Sequence, residues 1–153
     1  MTPDVSAFAN SICINLRSFR KDGTPVDTPL WVVVHGNRLA SYTDDRTFKA
    51  KRVQRNPNVE VAACDVVGRC TTPWYSARAR VVREPADRQH IFDRIRSKYG
   101  IHWYLSLWGS LLTGRVKHRL VLEFEPLAEV APPLIAAAPA VANSGATAHP
   151  SST

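Results

Sequence analysis

The chain has 153 residues, with 20 Lys and Arg against 13 Asp and Glu and a formal charge of +7. That length fits one domain able to bury most of its apolar surface. The positive field excludes no anionic partner, whether nucleic acid, acidic lipid or phosphorylated cofactor. The longest apolar run, 101–112, falls short of the ~20 residues that a membrane span needs, so no span is expected. No charged n-region and apolar h-region open the chain, so no signal peptide is expected either. Cys13, Cys64 and Cys70 lack metal spacing such as C-x-x-C and read as reduced thiols of a cytoplasmic protein.

Residues 1–10 read as a lead-in with a short helical turn near 5–9. Ile12, Ile14 and Leu16 then alternate with Cys13, Asn15 and Arg17, which is a half-buried strand over 11–18. Lys21-Asp22-Gly23 carries the D-G signal of a tight hairpin. The return strand is expected over 25–34, with Val26, Thr28, Leu30, Val32 and Val34 on one face. His35-Gly36-Asn37 turns the chain into 38–43 and completes a three-stranded meander. Pro29 interrupts this pattern, because proline cannot donate to a ladder. It marks an edge, a bulge or a place where something else lies alongside. One reading is a ligand's aromatic edge walled by Leu30 and Trp31; the other is an ordinary edge strand with Trp31 in the core.

The stretch 42–57, YTDDRTFKAKRVQRNP, concentrates basic residues on a short helix. Asp44 or Asp45 is placed to cap its start, and Thr47 adds a hydroxyl where the helix dipole favours an anion. Lys49 and Arg52 project together, Lys51 and Arg55 lie on a neighbouring line, and Asn56-Pro57 ends the helix. This is either a solvated basic helix or a clamp for a phosphate or carboxylate.

Strands follow over 58–64 and 74–82, the second with Arg78 and Arg80 opposite Tyr75, Ala77, Ala79 and Val81. Pro85 suits the first position of a helix. Ile91, Phe92, Ile95 and Tyr99 give that helix an apolar face, and Gly100 stops it. A second helix is expected over 101–112, where Trp103, Tyr104 and Trp108 would pack in the core or against another subunit, with cover over a pocket or contact with a membrane as the alternatives. The closing strand is expected over 119–124. Together these predict an α+β, mainly β fold: a six- to seven-stranded antiparallel split β-barrel with flanking helices, spanning 1–126. Residues 127–153 turn rich in Ala and Pro, with Glu129 their single charge, and predict a disordered tail.

The five histidines show no metal spacing, and there is no Ser-His-Asp or Cys-His pattern and no glycine-rich phosphate loop. No metal site and no protein nucleophile are expected; redox chemistry would belong to a bound cofactor.

Three segments, ICINLRSFRKDGTPVDTPLWVVV (12–34), SYTDDRTFKAKRVQRNPNVEVAACDVVGR (41–69) and RIRSKYG (94–100), resemble the pyridoxamine-phosphate-oxidase-like split β-barrels. Within these they are most similar to the actinobacterial group that uses the deazaflavin coenzyme F420. The resemblance covers roughly residues 10–125. It implies a homodimer with cofactor sites at the subunit interface. It further implies that Thr43, Thr47, Lys49, Lys51 and Arg52 hold the cofactor phosphate and that Pro29, Leu30 and Trp31 pass the tricyclic ring. With their neighbours Thr28 and Tyr42 these make the candidate cofactor-binding set. No catalytic residue is assigned. Asn15 and Leu16 depart from the small hydroxyl residues expected on the first strand, and Thr47 stands where serine is common.

The expected function is hydride transfer from reduced F420 to a small electron-poor substrate. FMN is the alternative cofactor, and a hydride carrier or sequestration protein without turnover also fits. A basic barrel binding single-stranded nucleic acid is the reading from another class, but the cations cluster at one turn rather than tracking a groove, so no nucleic acid is expected.

Overall fold

The computed structural model describes residues 4–102, 105 and 112–130. Among the described residues seven antiparallel strands form one sheet curled into a half-barrel, with the three helices α1 to α3 against it. In chain order these are α1 (Ser6–Ala9), β1 (Cys13–Phe19), β2 (Pro25–Trp31), β3 (Val33–His35), β4 (Arg38–Asp44), α2 (Phe48–Arg55), β5 (Asn58–Cys64), β6 (Tyr75–Val81), α3 (Pro85–Tyr99) and β7 (Arg119–Glu129). The strand order is β2-β1-β5-β6-β7-β4-β3.

Alternation along the strands separates two faces. Phe8, Ile14, Leu16, Leu30, Leu39, Val61 and Phe124 fill the inner one. On the outer one, Ile91 and Ile95 of α3 pack on Val33, Ala40 and Val121. Pro85 begins α3 and Gly100, at φ 50°, ends it, as their positions predict. Glu123, fully buried on the outer face, accepts from Arg80 Nε at 2.6 Å and pairs with His35 Nδ1 at 2.8 Å. That ties β3, β6 and β7 together.

The expected return strand breaks in two, and the meander does not form. β2 pairs with β1 and β3 pairs with β4, so consecutive segments occupy opposite edges of the sheet. Val32, between them, carries the chain from one edge to the other. Pro29 lies on the edge strand β2, where a missing donor leaves no ladder bond unmade.

The closing strand also runs past its expected end, through Glu129. Pro126 is accommodated because the β6–β7 register shifts between Ser76 and Ala77. Residues 127–129 are therefore strand rather than tail, and 131–153 lie outside the described residues, as does most of the expected 101–112 helix. Among the described residues no helix is long and apolar enough to cross a membrane.

Candidate functional site

Thr47, not an aspartate, caps α2: its Oγ1 accepts from Ala50 N–H at 3.4 Å and donates to Asp44 O at 2.7 Å. Asp44 is the last residue of β4, and its carboxylate is taken by Arg46, which donates from its backbone N–H at 3.0 Å and from Nη2 at 2.8 Å. That guanidinium holds Asp44 well below the usual carboxylate range. Thr43, buried on β4, places its Oγ1 3.4 Å from that of Thr47. Two hydroxyls thus meet at the start of the helix.

Ala50 and Val53 bury one side of α2, which brings its cations against the end of β1. Arg52 Nε donates to the buried Ser18 Oγ at 2.9 Å, and Arg55 Nη2 donates to Phe19 O at 2.8 Å. Burial first, then the charges of Arg20 and Arg55, lower the pKa of Arg52. Burial, then Arg52, lowers that of Lys49, with Asp44 opposing.

Six arginines elsewhere, Arg17, Arg38, Arg46, Arg69, Arg80 and Arg96, each have a carboxylate within 4.0 Å. Among the described residues Arg20, Lys49, Arg52 and Arg55 form no such pair. A crowded, partly desolvated group of like charges destabilises the free protein, and a bound anion would relieve it. The helix dipole adds to that preference at the Thr47 end.

The structure does not gather all ten candidates. Thr43, Thr47, Lys49 and Arg52 come together, with Ser18, Arg20 and Arg55 added. Lys51 is exposed, its ammonium 5.9 Å from the ring of Phe48, away from that group. Thr28 and Leu30 face inward and Leu30 belongs to the core, whereas Pro29 and Trp31 face outward. Trp31 and Tyr42 join the aromatic cluster beneath α3, edge to face at 6.2 Å. Leu30 and Trp31 therefore cannot wall the same ligand face.

Two residues that sequence reasoning placed on α3 but not at the site hold the strand break. Tyr99 stacks on Trp31 at 4.5 Å with the rings 9° from parallel. Its hydroxyl accepts from Val32 N–H at 2.9 Å and donates to Ile12 O at 2.6 Å. Lys98 Nζ donates to Ser11 O at 2.6 Å and to Val32 O at 2.8 Å. Outside this pin lies a cleft of about 640 Å³, walled by Ile12, Cys13, Trp31, Val66, His102 and Leu105.

A family model described as pyridoxamine 5'-phosphate oxidase matches residues 1–128. The chain belongs to the pyridoxamine 5'-phosphate oxidase-like family. Solved split barrels superpose on it at low identity and show its fold. A solved F420 reductase is 16% identical with a TM-score of 0.55, covering 81% of this chain and 93% of its own. An FAD-binding protein of Mesorhizobium loti is 18% identical with a TM-score of 0.57, covering 81% and 87%. The heme storage protein HutZ of Vibrio cholerae is 12% identical with a TM-score of 0.60, covering 82% and 89%. No curated protein matches the chain. Among the described residues no group of three or more His, Cys, Asp or Glu could hold a metal ion.

Proposed function

We propose that this split barrel is an oxidoreductase that binds coenzyme F420. The observation that carries this reading is the unneutralised group Lys49, Arg52, Arg55 and Arg20 beside the Thr43 and Thr47 hydroxyls. Cations and hydroxyl donors in one place match a phosphate, which accepts several charge-assisted hydrogen bonds. When bound, the reduced deazaflavin supplies a hydride to a small electron-poor substrate. The chain itself fixes the anion at α2 and holds Trp31 and the β2–β3 crossover rigid beside the outer cleft. FMN remains the alternative, since the same group suits any flavin carrying a phosphate. Fluorescence titration decides between them: F420 is expected to bind at micromolar concentration or better and more tightly than FMN. A tenfold preference for FMN would contradict the F420 assignment.

Lys49 gives this reading a pH signature. Burial and Arg52 place its folded pKa below 10.5, while a bound anion favours the ammonium. F420 affinity is therefore expected to hold at neutral pH and to fall as pH rises through that lowered pKa, before 10.5 is reached. Lys49→Arg, which stays charged, should flatten the alkaline limb in the same titration.

We further propose a homodimer. Ile12, Val66 and Leu105, each more than half or about half exposed, border the cleft and would be covered by a second subunit. Light scattering at low micromolar concentration should give twice 17.0 kDa. A clean monomer that still binds cofactor would contradict a shared site.

A further inference from the structure

We propose that Cys64 and Cys70 form a thiol–disulfide exchange site that takes small disulfides and closes a bridge across the loop between them. Cys64 ends β5, where pairing with β6 has already stopped at Val61. The chain then turns through 65–68, with Gly68 N–H donating to Asp65 O at 3.0 Å and Gly68 at φ 85°. Such a φ favours glycine, which opens the turn that brings Cys70 back opposite Cys64. The Asp65 carboxylate fixes the loop by accepting from Val67 N–H at 3.0 Å and Arg69 N–H at 2.9 Å.

The ladder around this pair decides the geometry. Asp65 N–H donates to Arg69 O at 3.0 Å and Thr71 N–H donates to Ala63 O at 2.8 Å. Those bonds flank the cysteines, so Cys64 and Cys70 are a non-hydrogen-bonded antiparallel pair. Such pairs stand at about 4.5 Å between Cα atoms with their side chains close on one face. A disulfide spans roughly 4.4–6.8 Å, so this pairing lies within its reach. Asn15 Nδ2 lies 3.5 Å from Cys70 Sγ and donates to Gly68 O at 2.6 Å, which holds the thiol on the outer face. Cys13 faces Cys64 from the other side. There the Cys64 backbone groups point toward β1, giving the hydrogen-bonded, wider pairing of about 5.5 Å. Side chains stand closer in the non-hydrogen-bonded pair, and Cys70 is the exposed cysteine while Cys13 is buried, so Cys70 is the better-placed partner. All three thiols are free in this structure.

The exposed Cys70 reacts first, because burial pushes Cys64 up to about 11. The Cys70 thiolate attacks one sulfur of a low-molecular-weight disulfide, breaking its S–S bond and releasing one thiolate. Cys64 then gives its proton to water and attacks the Cys70 sulfur, expelling the second thiolate. Two protein thiols are oxidised and one small disulfide is reduced to two thiols. The bridged loop carries Val66, a wall of the cleft beside Trp31.

The test is to incubate the full chain with excess oxidised glutathione at pH 8, block remaining thiols with N-ethylmaleimide and map tryptic peptides by mass spectrometry. Trypsin separates Cys13, Cys64 and Cys70 at Arg17, Arg55, Arg69 and Arg78, so each pairing leaves a distinct joined peptide. The 56–69 and 70–78 peptides are expected to be joined, with Cys13 alkylated and dithiothreitol restoring the Cys64 and Cys70 thiols. Cys64→Ser should stop at a glutathione adduct on Cys70, Cys70→Ser should take up no oxidant, and Cys13→Ser should bridge as the parent does. A Cys13–Cys64 bridge, a lasting adduct on Cys70 of the parent, or no oxidation would each overturn the proposal.

Discussion

Lys49→Ala and Arg52→Ala are each expected to weaken coenzyme F420 roughly 10- to 150-fold. A charge-assisted hydrogen bond typically contributes ~1.5–3 kcal/mol, and every ~1.4 kcal/mol is tenfold in affinity. Arg52 also donates to Ser18, so Ser18→Ala measures how much of its effect is support rather than ligand contact. Arg55 is tied to Phe19 O but stands in the same unneutralised row, so Arg55→Ala should cost several-fold. Lys51 points toward Phe48, and Lys51→Ala should leave affinity near that of the parent. Circular dichroism of all these variants should match the parent, since no core contact is removed. Equal losses at Lys49 and Lys51 would mean that the cations act through their net field and not as a clamp.

Tyr99→Phe should lower folding stability by about 1–3 kcal/mol, the cost of leaving a buried N–H unsatisfied. Val32 is fully buried and lies outside both ladders, so its N–H depends on the Tyr99 hydroxyl. Burial raises the Tyr99 pKa, which keeps the phenol protonated and able to donate to Ile12 O. Tyr99→Ala also removes the stack on Trp31 and should cost ~3–5 kcal/mol in all. Urea denaturation midpoints measure both. A Phe variant as stable as the parent would show that the strand crossover is held by something other than this pin.

Local pattern made most of the elements legible. Period-two alternation marked β1 and β6, and Pro85, Ile91, Ile95 and Gly100 bounded and oriented α3. The break at Val32 was hidden, because apolar residues continue at the same parity from Val26 to Val34 while the pairing partner changes. Partner choice is a long-range property, and the residues that secure it, Lys98 and Tyr99, lie 66 and 67 positions away. The run of β7 past 124 was hidden, because the register shift that accommodates Pro126 lies against another strand, β6.

The site divides in the same way. The cationic helix and its Thr47 hydroxyl followed from spacing and the dipole. The alternation already set Leu30 and Trp31 on opposite faces, but a wall using both required them on one. Asp44 could not cap α2 because β4 extends one residue further and Arg46 claims its carboxylate. Ser18 was one polar residue on a strand until α2 docked against it.

The most direct measurement compares F420 with its deazaflavin fragment lacking the phosphate and side chain, each titrated against the parent, Lys49→Ala and Arg52→Ala. The fragment is expected to bind all three almost equally while intact F420 loses at least tenfold on the variants. If the fragment loses as much affinity as intact F420, these residues touch the ring or shape the fold, and the phosphate clamp is contradicted.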